Sequence, residues 1–192
     1  MKKGLKLSDI LVTIIIALIF GLIYKLWGPL YGIVSTVGLH AEQLIYGMWF
    51  IAATVAFLII RKPGVAFLAE IAAAQGEFIF GGEWGVTILI YGFVQGIGAE
   101  LVFAAFRYKR FNVFVVSLAG AASAVASIIL GFYYGYAGDL TLWNLMLMFG
   151  FRIISGIVIA GIFAYFIVAA LEKTGVTNLV RPITTDDYKA LD

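Results

Sequence analysis

Six apolar runs, each about the length of a membrane-crossing helix, occupy most of this sequence. They cover residues 9–26, 39–60, 63–80, 85–106, 112–132 and 142–171. A bilayer hydrocarbon core of about 30 Å needs about 20 mostly apolar residues per helix. In lipid, every backbone N–H and C=O must be satisfied within the structure, so such runs are helical. The expected fold is therefore an all-α, polytopic six-helix bundle forming one membrane domain over residues 1–192. Charged residues make up only 12% of the chain, about half the usual share of a soluble domain. That composition excludes a soluble globular protein, a disordered tail and a nucleic-acid binder. The first run follows a basic start, but it is longer than the apolar core of a signal peptide and has no small-x-small cleavage site after it. It reads as a retained helix.

The basic residues orient the bundle. Eleven of the thirteen lie at one end: Lys2, Lys3, Lys6, Arg61, Lys62, Arg107, Lys109, Arg110, Lys173, Arg181 and Lys189. The connections 28–38, 81–84 and 133–141 contain no Lys or Arg. Positive residues favour the cytoplasmic side, so both termini are expected there. The aromatic residues Trp27, Tyr31, Trp84, Tyr133, Tyr134, Tyr136 and Trp143 then fall at the outer rim, as an interfacial belt or as the wall of an outward pocket.

Ionisable groups within apolar spans are costly and tend to be paired or functional. At 1.5 Å per residue, Glu70, Gln95 and Arg152 each lie roughly 15 Å below the outer end of their helices. Matching depth suggests that Glu70 and Arg152 form a structural ion pair. Glu100, near the inner end, could pair with Arg107. Glu42, Gln43, Glu77, Gln95 and Asn144 all lie in the outer half, among Tyr46, Trp49, Trp84 and Tyr91. Carboxylates, amides and aromatic faces at an outward pocket suit a small cationic heteroaromatic ligand. The alternative is that these residues are helix-bundle glue and rim anchors. Small residues such as Ala17 with Gly21, Gly92 with Gly96, and Gly156 with Ala160 mark close helix contacts, within the chain or with another membrane subunit.

No GxxxxGK[ST], HExxH or GxSxG motif occurs, the chain has no cysteine, and His40 is its one histidine. ATP hydrolysis, thiol chemistry and His-clustered metal sites have no residues to carry them. The segments 4–9 (GLKLSD), 39–43 (LHAEQ) and 70–77 (EIAAAQGE), in a chain of this length and topology, resemble the S components of energy-coupling factor (ECF) vitamin transporters, of the thiamin/hydroxymethylpyrimidine type. The resemblance covers the whole chain. It implies a non-enzymatic subunit of the cell membrane that captures a vitamin at its outer face, with no catalytic cofactor. A transmembrane coupling subunit and cytoplasmic ATPases would be its partners. The family's Ala-xxx-Ala coupling motif on helix one falls on Ala17 and Gly21 here, a departure that keeps both residues small. Residues 27–39 are expected to form a lid, with Gly28, Gly32 and Gly38 permitting movement. A self-sufficient channel or secondary carrier is the rival expectation, as is a ligand-free scaffold.

Overall fold

A computed structural model describes residues 4–136, 138 and 140–180. Lys2, Lys3, Arg181 and Lys189, invoked above for orientation, lie outside the described residues. The described chain is helical, with no strand among the described residues. Helix α1 spans Leu7–Ser35, α2 Ile51–Ile60, α3 Val65–Ile79, α4 Thr87–Ala105, α5 Val113–Tyr133, α6 Leu142–Ser155 and α7 Ala164–Lys173. A ten-residue 3-10 helix, Ala41–Phe50, runs directly into α2, and a π-helical stretch, Gly156–Phe163, joins α6 to α7.

Five of the resulting helical segments are long and apolar enough to cross a membrane: Leu7–Ser35, Ala41–Ile60, Thr87–Ala105, Val113–Tyr133 and Leu142–Lys173. The run at 63–80 instead yields the 15-residue α3, about 22 Å long. Gly64, at φ +84°, and the Lys62–Pro63 turn before it delay the helix to Val65.

Every residue of α2 is buried, which makes the second segment the axis of the bundle. Around it, neighbour against neighbour, stand α1, α3, α4, α5 and the Gly156–Phe163 stretch. Small residues set these spacings. A methyl group on Gly21 would lie 2.8 Å from the Gly76 Cα, and one on Gly92 2.4 Å from the Ala74 Cβ. Gly120 and Gly156 are as close, each facing the other's carbonyl. Ala17 is buried as well. The small pair Ala17 and Gly21 therefore faces α3 inside the chain, not an outer subunit. The outer face of α1 is the row Leu11, Ile14, Ile15, Leu18, Ile19 and Leu22, all exposed. In this pattern the large side chains meet lipid and the small ones let backbones approach.

The basic end is tied by polar contacts. Asp9, fully buried, takes the Lys6 backbone N–H at 2.6 Å and the Lys62 ammonium. Arg61 Nη2 lies 2.9 Å from Glu172 Oε1. Glu100 does not reach for Arg107; its carboxylate accepts from the backbone N–H groups of Gly64 (2.6 Å) and Phe67 (3.2 Å). It thus caps α3 from a neighbouring helix, satisfying donors that a helix start leaves open.

The segment 27–39 is not a lid loop. Helix α1 continues through Pro29 to Ser35, so Gly28 and Gly32 are helical. Pro29 lacks the N–H for the bond to Lys25 O, but at the exposed C-terminal end of α1 that carbonyl is not stranded in the core. The turn that follows is left-handed at three successive residues, Gly38, Leu39 and His40. It reverses the chain into the 3-10 helix.

A candidate ligand cavity

The 3-10 winding of Ala41–Phe50 decides which side chains of the second segment meet. At 3.0 residues per turn, residues three apart eclipse one another. Gln43, Tyr46 and Trp49 therefore stand in one row along the helix, all lining a single cavity of about 400 Å³. On an α-helix the same three residues would fan out over about 120°.

Aromatic rings wall the cavity on its α1 side. Tyr31 and Trp49 meet edge to face at 5.0 Å between centroids, Trp49 and Trp84 at 5.2 Å, and Tyr31 and Trp84 at 6.2 Å. Tyr46 lies 5.4 Å from Trp49. Helix α3 contributes Glu77, whose Oε1 accepts from Trp49 Nε1 at 3.1 Å. Helix α4 contributes Thr87, Tyr91 and Gln95, one helical turn apart and so on one face. Gln95 is buried, and its Nε2 has no hydrogen-bond partner among the described residues. Helix α6 contributes Met148 and Arg152.

Arg152 is held on three sides. Its Nε donates to Gln43 Oε1 at 2.7 Å, its Nη1 to Ser127 Oγ at 3.4 Å, and its guanidinium carbon lies 3.9 Å from the centre of the Tyr46 ring. Gln43 Nε2 in turn donates to the Tyr31 hydroxyl at 2.6 Å and to Glu42 at 3.0 Å. The expected Glu70–Arg152 ion pair does not form. Glu70 Oε2 accepts from the Tyr24 hydroxyl (3.2 Å) and the Ala53 N–H (3.1 Å), while the Tyr24 oxygen accepts from the Ala52 N–H at 3.0 Å. Both amides belong to the first turn of α2, where helix geometry leaves N–H groups unbonded. The two side chains face different sides of the bundle: Glu70 bonds toward α1 and α2, Arg152 toward the 3-10 row and α5.

Seven of the nine residues expected around a ligand line this cavity: Gln43, Tyr46, Trp49, Glu77, Trp84, Tyr91 and Gln95. Glu42 and Asn144 do not. Glu42 accepts from Gln43 Nε2 behind the row and lies 3.8 Å from His40 Nδ1. Asn144 sits in the first turn of α6, its backbone N–H bonded to the Thr141 hydroxyl at 3.5 Å. The sequence offers no reading for Tyr24, Thr87 and Met148, assigns Arg152 to the ion pair with Glu70 instead of to the cavity, and leaves Tyr31 and Tyr136 between belt and wall. The i, i+4 spacing of Thr87, Tyr91 and Gln95 was a usable signal for Thr87. The α6 pair Met148 and Arg152 carries the same spacing.

A binding cavity of this size, apolar and aromatic with a few converging polar groups, is the form of a small-molecule site. Comparisons with known proteins agree with that form. A family model described as "ABC-type cobalt transport system, permease component" matches residues 8–126. YkoE of Bacillus subtilis (strain 168), named as an HMP/thiamine permease protein, is 38% identical over 178 residues, spanning 92% of this chain and 89% of its own length. A solved structure titled as an S-component of an ECF transporter superposes with a TM-score of 0.87 at 35% identity, covering 91% of this chain and 89% of that one. Sequence and fold thus point the same way: this is a multi-pass cell membrane protein, not an enzyme, and it belongs to the S-component family of ECF transporters, the substrate-binding permease subunits.

Proposed function

We propose that the chain captures thiamin or its hydroxymethylpyrimidine precursor in the cavity beside the 3-10 helix, at the outer face of the membrane. A transmembrane coupling subunit and cytoplasmic ATPases would then drive delivery inward. The observation that carries this reading is the pairing of an aromatic wall with two polar groups suited to an aminopyrimidine. Tyr31, Trp49 and Trp84 offer ring faces and edges, the unpartnered Gln95 amide offers a donor to a ring nitrogen, and Glu77 offers an acceptor for an amine or a cation. The HMP/thiamine name of the relative from Bacillus subtilis supports the same choice.

The interior toward the basic end favours a capture subunit over a self-sufficient channel. There Phe57 and Phe103 stack with centroids 3.7 Å apart, and the whole of α2 is packed around them. The proposed topology has six crossings with both termini in the cytoplasm, α3 being the short one. It rests on the basic residues gathered at one end. Because the chain has no cysteine, single cysteines introduced at the two ends would report sidedness without background.

Trp49 and Trp84 stand in the cavity, so bound ligand should change the intrinsic fluorescence. Saturable quenching by thiamin or hydroxymethylpyrimidine is the expected result. A flat titration with both would remove the vitamin assignment. Proteoliposomes holding this chain alone should accumulate no substrate; uptake without partners would favour a carrier.

A further inference from the structure

Arg152 is 7% exposed and borders the cavity, yet no carboxylate pairs with it among the described residues. Its neighbours are an amide oxygen, a hydroxyl and a ring face. None carries a full charge. A guanidinium has five N–H donors; the contacts to Gln43 and Ser127 use one on Nε and one on Nη1, which leaves one on Nη1 and both on Nη2. A cation removed from water without an anion is electrostatically costly. Glu42 stands behind Gln43, bonded to its Nε2 rather than to Arg152 and outside the cavity lining, so within the cavity the compensating charge is expected from whatever fills it.

The other charge in the cavity wall is Glu77, and it meets the 3-10 row at Trp49. Arg152 contacts Gln43 and Tyr46, whereas Glu77 contacts Trp49. At about 2.0 Å of rise per residue, the positions Arg152 touches lie about 6–12 Å along the axis from Trp49. The cavity therefore has a negative end and a positive end, joined by a strip of aromatic rings. A simple cation suits the first end and is repelled by the second.

We infer that Arg152 is a specificity-determining residue for the far end of the ligand, and that the cavity accepts the phosphate monoester of a thiamin-type compound. The aminopyrimidine lies toward Glu77 and the phosphate against the guanidinium. The proposal rests on the vitamin-binding reading of the same cavity and adds to it a ligand charge and an orientation. The free guanidinium N–H groups form a planar fork that matches two oxygens of a phosphate. A lone hydroxyl would fill one of them and supply no charge.

The experiment is calorimetric titration of the full-length protein in detergent with thiamin and with thiamin monophosphate, repeated for Arg152→Gln and Arg152→Lys. The expected result is at least tenfold tighter binding of the monophosphate by the wild type, a preference that Lys keeps in part and Gln abolishes. Equal or weaker binding of the monophosphate by the wild type overturns the inference, and so does a preference that survives in Arg152→Gln. The wild-type ratio decides the matter by itself if the Gln variant does not fold. Binding of neither compound by the wild type overturns the inference, and if hydroxymethylpyrimidine does not bind either, the vitamin reading as a whole. Thiamin binding without a monophosphate preference overturns the inference alone.

Discussion

The contact between Gly47 and Ser155 gives a sharp test of how the 3-10 row is held. Gly47 N–H donates to Ser155 Oγ at 2.8 Å, and a methyl group at Gly47 would stand 2.4 Å from the Ser155 carbonyl oxygen and 2.7 Å from its carbon. Both obstacles to Gly47→Ala are backbone, which cannot rotate away. Ordinary contact begins at 3.4 Å, so the 3-10 helix and α6 must separate by about 1 Å to restore normal spacing. Overpacking of that kind destabilises by about 1–3 kcal/mol. The same movement pulls Gln43 from Arg152, taking a 2.7 Å hydrogen bond beyond bonding range. A hydrogen bond to a charged group is worth about 1.5–3 kcal/mol, so ligand affinity should fall about 10- to 100-fold. The assay is tryptophan-fluorescence titration alongside a thermal melt of the same preparation. Binding and melting both unchanged in Gly47→Ala would refute the close approach and the row that depends on it.

Other expectations follow from contacts described above. Glu77→Gln keeps an acceptor for Trp49 but removes the charge that faces the aminopyrimidine common to both ligands. It should therefore weaken thiamin and the neutral hydroxymethylpyrimidine by similar factors in parallel titrations; a loss confined to thiamin would place the thiazolium, not the pyrimidine, at Glu77. Glu100→Ala strips two acceptors from the start of α3 and should destabilise by about 1–2 kcal/mol, read by denaturation, with affinity unchanged. Because Glu70 and Arg152 bond to different partners, Glu70→Gln and Arg152→Met should be additive within about 0.5 kcal/mol in a double-mutant cycle. Tyr24→Phe removes the hydroxyl that bridges Glu70 to Ala52 and should lower stability by about 1–3 kcal/mol, measured by melting.

Reading depth along each helix recovered much of the cavity, because distance from a membrane surface scales with residue number. Gln43, Glu77, Tyr91 and Gln95 were gathered that way. Direction around the helix was less legible. Glu70 and Arg152 matched in height, and nothing in their spacing revealed that one bonds toward α1 and α2 and the other toward α5. Winding was hidden too: on an α-helix Gln43, Tyr46 and Trp49 would fan apart, and it is the three-residue turn that sets them in one row. The length of α1 was misjudged because Trp27-Gly28-Pro29 looks like a break, yet helix propensity yields where packing supports the next turns. Trp27 Nε1, bonded to the Ile45 carbonyl at 3.0 Å, is part of that support. Small residues did mark close helix contacts, but which neighbour each would meet depended on the assembled bundle. Ala17 and Gly21 were the cost of that ambiguity.

The 3-10 helix also sets a length. Ten residues wound this way extend about 20 Å, against about 15 Å for an α-helix. Rewinding Ala41–Phe50 as α would therefore draw its two ends together by about 5 Å and turn Trp49 about 120° away from Gln43. Reach and ligand geometry are mechanically one variable in this segment, so a pull along its axis and the presence of a ligand act on the same coordinate.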